Sequence, residues 1–113
     1  MTDTATLTTD IMLAASKAGH RLFRNNQGLA IHKSATGKSY AVEYGIPRGK
    51  GGGDLLGWCR GTARFASIEI KVGRDKSSPA QLKWALAVRA AGGVAGEARS
   101  VEDALAILES GAS

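Results

Sequence analysis

The chain contains one cysteine, Cys59. A lone thiol closes no disulfide within the molecule, and Cys59 lacks the neighbours of a zinc site. That usage suits a reducing compartment, so the expected location is cytoplasmic. Aromatic residues make up only 5%, which leaves Leu, Ile, Val and Ala to fill most of an interior. No apolar run approaches the roughly 20 residues that cross a bilayer. The first ten residues, MTDTATLTTD, have neither the basic nor the apolar region of a secretory leader, so neither secretion nor a membrane partner is expected. Acid is scarce along most of the chain. Residues 1–96 hold 6 Asp and Glu against 14 Lys and Arg, whereas residues 97–113 hold four acids and one base. The net charge of +5 thus comes from a basic body with a mildly acidic tail. Such a balance favours a polyanionic partner, of which nucleic acid is the commonest.

What is present fits one globular domain. The 113 residues are 43% apolar, enough for a packed core and too many for a disordered chain. Residues 1–6 and 110–113 read as loose ends. Thr8, Thr9 and Asp10 offer N-cap chemistry before an apolar stripe at Ile11, Leu13, Ala14, Ala15 and Ala18, so a helix is expected there, ended by Gly19. Residues 20–25, 29–33, 40–44 and 54–58 read as strands, with a loop at 45–53 and turns at 34–39 and 60–64. The clearest strand is 65–72 (FASIEIKV), where Ala66, Ile68, Ile70 and Val72 alternate with Phe65, Ser67, Glu69 and Lys71. Ser78 and Pro79 begin a helix over 79–91, with Gln81 placed for a capping box. A strand at 94–98 and a helix at 101–108 complete the order. The fold class is α/β, a central mixed sheet flanked by helices.

Glu69-Ile70-Lys71 carries the chemistry. On a strand, residues two apart share a face, so the carboxylate and the ammonium project side by side while Ile70 points into the core. A carboxylate, a lysine and a divalent cation together suit phosphodiester hydrolysis, because the cation lowers the pKa of bound water and polarises the phosphate. Mg²⁺ or Mn²⁺ needs a second oxygen ligand. Asp54 is the candidate, 15 residues before Glu69, a spacing that matches a hairpin. The preceding Gly51, Gly52 and Gly53 have no side chains, which allows a phosphate backbone to come close. An E-x-K on a strand is also common as a solvated ion pair, and a glycine-rich stretch before Asp is common as a turn. His20 and His32 lack metal-ligand spacing and read as strand-surface residues. Cys59 reads as a small core residue, and Trp84 as a core or interface aromatic.

Six segments carry a family resemblance: residues 23–28 (FRNNQG), 44–47 (YGIP), 50–58 (KGGGDLLGW), 68–72 (IEIKV), 78–81 (SPAQ) and 88–93 (VRAAGG). In this order and spacing the chain resembles a VRR-NUC domain over about residues 8–108. That family is a branch of the PD-(D/E)xK nucleases with the restriction-endonuclease-like fold. The resemblance implies that Asp54 and Glu69 are metal ligands, that the Ile70 carbonyl joins them, that Lys71 is the catalytic lysine and that Gln81 lines the same site. The family also carries a Glu on its first helix. Here Thr8 stands at that position and Asp10 is the nearest acid, so either Asp10 substitutes or the function is dispensable. The Val-Arg-Arg that names the family is Val88-Arg89-Ala90 in this chain. Stand-alone phage-type members resemble homodimers that cut branched DNA such as four-way junctions.

The resulting expectation is a Mg²⁺- or Mn²⁺-dependent endonuclease on branched DNA. Arg48 and Lys50 beside the glycines, Arg74 and Lys76 after the catalytic strand, and Arg24 and Asn25 at the same end of the sheet are the expected phosphate contacts. The alternatives are a catalytically weak or inactive DNA-binding module on the same fold, and a protein-interaction domain without a nucleic-acid role.

Overall fold

A computed structural model of the chain describes residues 3–46 and 51–113. The elements run α1 (Thr4–Lys17), β1 (Arg21–Arg24), β2 (Gly28–Lys33), β3 (Ser39–Tyr44), β4 (Leu55–Trp58), β5 (Phe65–Ile70), α2 (Pro79–Ala90), β6 (Val94–Ala98) and α3 (Val101–Glu109). Four strands form a mixed sheet in the order β1-β4-β5-β6. β4 lies antiparallel to β1 and β5, and β6 lies parallel to β5. A parallel neighbour requires a crossover, and α2 provides it. β2 and β3 form a separate two-stranded hairpin. No helix among the described residues is long and apolar enough to cross a membrane.

β5 is covered on both faces. Ala66, Ile68 and Ile70 join Leu7, Ile11 and Ala15 of α1 and Ala104 and Leu108 of α3 in one core. The alternate residues Ser67 and Glu69 are buried as well, because α2 lies across that face. Its Trp84 Nε1 donates to Ser67 Oγ at 2.8 Å. Alternation along residues 65–72 predicts a strand with two faces; the strand ends at Ile70, and the position of α2 turns the polar face inward.

α1 starts earlier than the sequence suggests. Asp3 is the N-cap, accepting from Thr6 N at 2.7 Å. The residues Thr8, Thr9 and Asp10 fall inside the helix. An early start places Leu7, Ile11 and Ala15 on one buried stripe at four-residue steps, and that burial outweighs the second capping signal. Thr8 is buried and donates its hydroxyl to the Thr4 carbonyl. The C-terminus is anchored where a loose end was expected: Gly111 is buried, and Ser113 N donates to the Arg60 carbonyl at 3.1 Å.

His20, expected on a strand surface, is fully buried. Its Nδ1 accepts from Arg60 N at 2.9 Å and its Nε2 lies 3.0 Å from Glu109 Oε1. Arg60 also grips both Glu109 oxygens, at 2.9 and 2.7 Å. This triad joins the end of α1, the β4–β5 turn and the end of α3. The Arg60 guanidinium, then His20, hold the Glu109 carboxyl down from 4.5 to about 2. A depressed carboxyl contributes stability above its unfolded pKa and loses it as pH falls toward the folded one. In thermal melts from pH 7 to pH 2, Glu109→Gln is therefore expected to be less stable at neutral pH and to lose less than wild type on acidification between pH 4.5 and about 2. Parallel acid profiles would show that the triad contributes nothing.

Candidate active site

β5 and the N-terminus of α2 build the site. Glu69 and Lys71 are both buried, and burial without partners would be costly for either charge. Gln81 supplies the partners. Its Nε2 donates to Glu69 Oε1 at 2.8 Å, and its Oε1 accepts from Lys71 Nζ at 3.0 Å. Lys71 Nζ stands 3.9 Å from Glu69 Oε1, so the carboxamide bridges the acid and the amine. The same Oε1 accepts from Ser78 N at 2.8 Å, and Ser78 Oγ accepts from Gln81 N, which completes a capping box. The two readings of Gln81 in the sequence, helix cap and site residue, are both realised by one side chain.

Asp54 immediately precedes β4. The register pairs Leu55 with Ile68, and one further step sets Asp54 opposite Glu69. Asp54 Oδ2 accepts from Ile70 N at 2.7 Å, so the carboxylate lies against the strand that carries the other two residues. On its other side Asn25 N donates to the Asp54 carbonyl at 2.9 Å. The Asn25 amide donates to the carbonyls of Ile46 and Gly53 and accepts from Ile46 N. Its observed part is to hold the strand and loop around Asp54, and a phosphate contact would compete with those bonds.

The glycines before Asp54 have a different reason from the one expected. Gly51, Gly52 and Gly53 are buried. Gly51 has φ +89°, and a Cβ there would strike the Ala80 carbonyl of α2; at Gly53 it would strike the Ser67 hydroxyl. The space they leave is filled by the protein's own helix and strand, not held open for a phosphate. In comparisons with known proteins, no family model, curated protein or solved structure matches this chain.

Two clefts meet at Gly53. One, of about 630 Å³, runs between α2 and β6 and is lined by Glu69, Gln81, Trp84 and Lys76 among others. That volume lies in the range of small-molecule sites. The other is lined by Asn25, Asn26, Gln27, Tyr44, Gly53 and Asp54. Arg24, Arg74 and Lys76 are exposed, and Arg24 pairs with Leu55 beside Asp54. Arg48 and Lys50 lie outside the described residues. Asp10 is exposed on α1, whose buried side carries Leu7, Thr8, Ile11 and Ala15. Among the described residues, no three His, Cys, Asp or Glu side chains form a metal-holding group. Two carboxylates suit a hard cation that keeps several waters, as Mg²⁺ does. Burial pushes the Cys59 thiol up, which keeps it protonated and out of the chemistry.

Sequence reasoning missed Ser67 and Arg99. Ser67 shares the strand face of Glu69, a visible signal, and anchors Trp84. Arg99 donates to the carbonyls of Gly73 and Asp75 and so holds the loop that carries Arg74 and Lys76; nothing local in the sequence marks it.

Replacing Ser78 by Ala removes only a cap, at a cost of about 1 kcal/mol. Gln81→Ala also leaves Glu69 and Lys71 without their bridge, adding about 1–3 kcal/mol. Urea denaturation of the two variants is expected to show the larger loss for Gln81→Ala. Equal losses would reduce Gln81 to a cap.

Proposed function

We propose that the protein is a metal-dependent endonuclease acting on DNA phosphodiesters, built on a restriction-endonuclease-like fold of the VRR-NUC branch. The observation that carries this reading is the convergence of Asp54, Glu69, Lys71 and Gln81 on β5. Stability gives these residues little reason to be there. A buried ion pair is often no better than well-packed apolar side chains, and one at 3.9 Å is far from ideal geometry. An acid and an amine kept dry and bridged by a neutral carboxamide, with the acid and the carboxamide lining a cleft, are suited instead to polar chemistry on a ligand.

In this reading Asp54, Glu69 and the Ile70 carbonyl would hold Mg²⁺ or Mn²⁺. The bound cation would polarise the scissile phosphate and make its water more acidic. Lys71 orients the attacking water and stabilises negative charge that builds on the phosphoryl oxygens. Gln81 fixes the Lys71 ammonium relative to Glu69. Water oxygen bonds to phosphorus, the bond to one sugar oxygen breaks, and a phosphate monoester and a hydroxyl result. Arg24, Arg74 and Lys76 contact phosphates, with Arg48 and Lys50 proposed alongside them from sequence. No helix among the described residues resembles a base-reading one, so branched shape is the proposed basis of recognition.

A second reading has one observation in its favour. Asp10 is exposed and Thr8 occupies the buried position on α1, so the acid that the family places on its first helix has no buried counterpart. On that reading the chain is a DNA-binding module on a nuclease fold that has lost most of its activity.

Labelled flaps, nicked duplexes and four-way junctions incubated with the protein and Mn²⁺ distinguish the two. The expected result is cleavage of a branched substrate, reduced about 100-fold or more by Glu69→Gln and by Lys71→Met. Both variants keep the volume of the buried group, and both are expected to retain DNA binding that weakens steeply with salt. Binding without cleavage on every substrate would favour the inactive module.

A further inference from the structure

The β2–β3 hairpin supplies none of the catalytic or metal-holding residues of the proposed reaction. It forms a sheet of its own, and a two-stranded hairpin is marginally stable in water unless one face is covered. Its two faces are not alike. Gly28, Ala30 and His32 pair with Tyr44, Val42 and Tyr40 on one face. There Gly28 and Ala30 are partly buried, His32, Tyr40, Val42 and Tyr44 are exposed, and Tyr44 lines the cleft at Asp54. Leu29, Ile31 and Lys33 pair with Glu43, Ala41 and Ser39 on the other, and all six are exposed. Leu29 is 62% exposed, and Ile31, at 69%, is the most exposed large apolar side chain among the described residues. Contiguous exposed apolar surface of this kind marks an interaction site.

The charges on this face choose the partner. Glu43 stands at one end beside Leu29, and Lys33 at the other beside Ser39. They lie about 13 Å apart along the strands, too far to pair with each other, and neither has an ionic partner among the described residues. A two-fold axis between two such faces, perpendicular to the Lys33–Glu43 diagonal, sets each Lys33 over the other copy's Glu43. Ile31 then meets its own copy near the axis. The strands cross obliquely, as twisted sheets packed face to face do. The pattern is self-complementary, the requirement for an isologous interface.

We infer that the Leu29–Ile31 face of the hairpin is the surface through which two copies of this chain associate, with two Lys33–Glu43 pairs fixing their orientation. The Asp54 clefts stay open, because Tyr44 belongs to the opposite face. The surface stands on the hairpin alone; its link to paired cutting of two DNA strands rests on the nuclease reading. The face spans three residue pairs, a small interface, so the dimer is concentration-dependent.

Sedimentation velocity of the full chain over a dilution series tests this. Wild type is expected to shift from monomer to dimer as concentration rises. Ile31→Asp is expected to remain a monomer with an unchanged circular-dichroism spectrum. Lys33→Glu and Glu43→Lys, each alone, are expected to dimerise about tenfold more weakly, because each places like charges in both pairs. Mixing those two chains makes both pairs attractive again and restores the dimer as a heterodimer. The double variant Leu82→Glu with Leu86→Glu, on the exposed side of α2, is expected to associate like wild type. A wild-type monomer at every concentration, a mixture no tighter than its components, or loss of the dimer in the α2 variant overturns the inference. A monomer that cleaves DNA would sink this surface and spare the nuclease; the rescued heterodimer in a chain that never cleaves would do the reverse.

Discussion

Glu69 sits near the end of β5 and Lys71 just beyond it, both buried, so protein groups must do for them what water would otherwise do. Much of the surrounding structure follows from that constraint. Gln81 has to reach both side chains, which sets the first turn of α2 over the end of β5. Ser78 and Pro79 start the helix where that reach is possible. The chain before Asp54 passes beneath the same turn and then against β5, close enough that Gly51 admits no Cβ beside α2 and Gly53 none beside Ser67. Asp54 then arrives with its carboxylate on the Ile70 amide.

Much of this was legible in the sequence, for physical reasons. Strand alternation, read over 65–72 and realised over 65–70, and the Ser78-Pro79-Gln81 start of α2 are local patterns, decided by neighbours in sequence. The 15-residue spacing between Asp54 and Glu69 carries enough of the β4–β5 hairpin to bring the two together. Other features depend on packing between distant segments. The start of α1 is decided by Leu7 meeting the core. The burial of His20 is decided by Glu109, 89 residues away. The glycines before Asp54 look the same in sequence whether the space beside them holds a phosphate or the chain's own helix. Likewise, alternation in β2 and β3 gives two faces but does not say that the hairpin stands apart from the main sheet.

In the proposed reading, the clefts around Gly53 and the hairpin divide the surface between two tasks. One hairpin face turns Tyr44 toward Asp54, where a nucleic-acid backbone would lie in the proposed reaction. The other carries apolar side chains with opposite charges at its ends. The polar, basic surroundings of Asp54 and Lys76 suit a polyanion, whereas the Leu29–Ile31 face suits a like surface. A single small domain with one such site gains a second only by pairing.

The central claim is that Asp54 and Glu69 hold one divalent cation beside Lys71. Anomalous diffraction from crystals grown with manganese tests it most directly. The expected result is a single strong peak within ligand distance of both carboxylates, absent from crystals of Asp54→Asn. No peak there, or one bound away from residues 54 and 69, would contradict it.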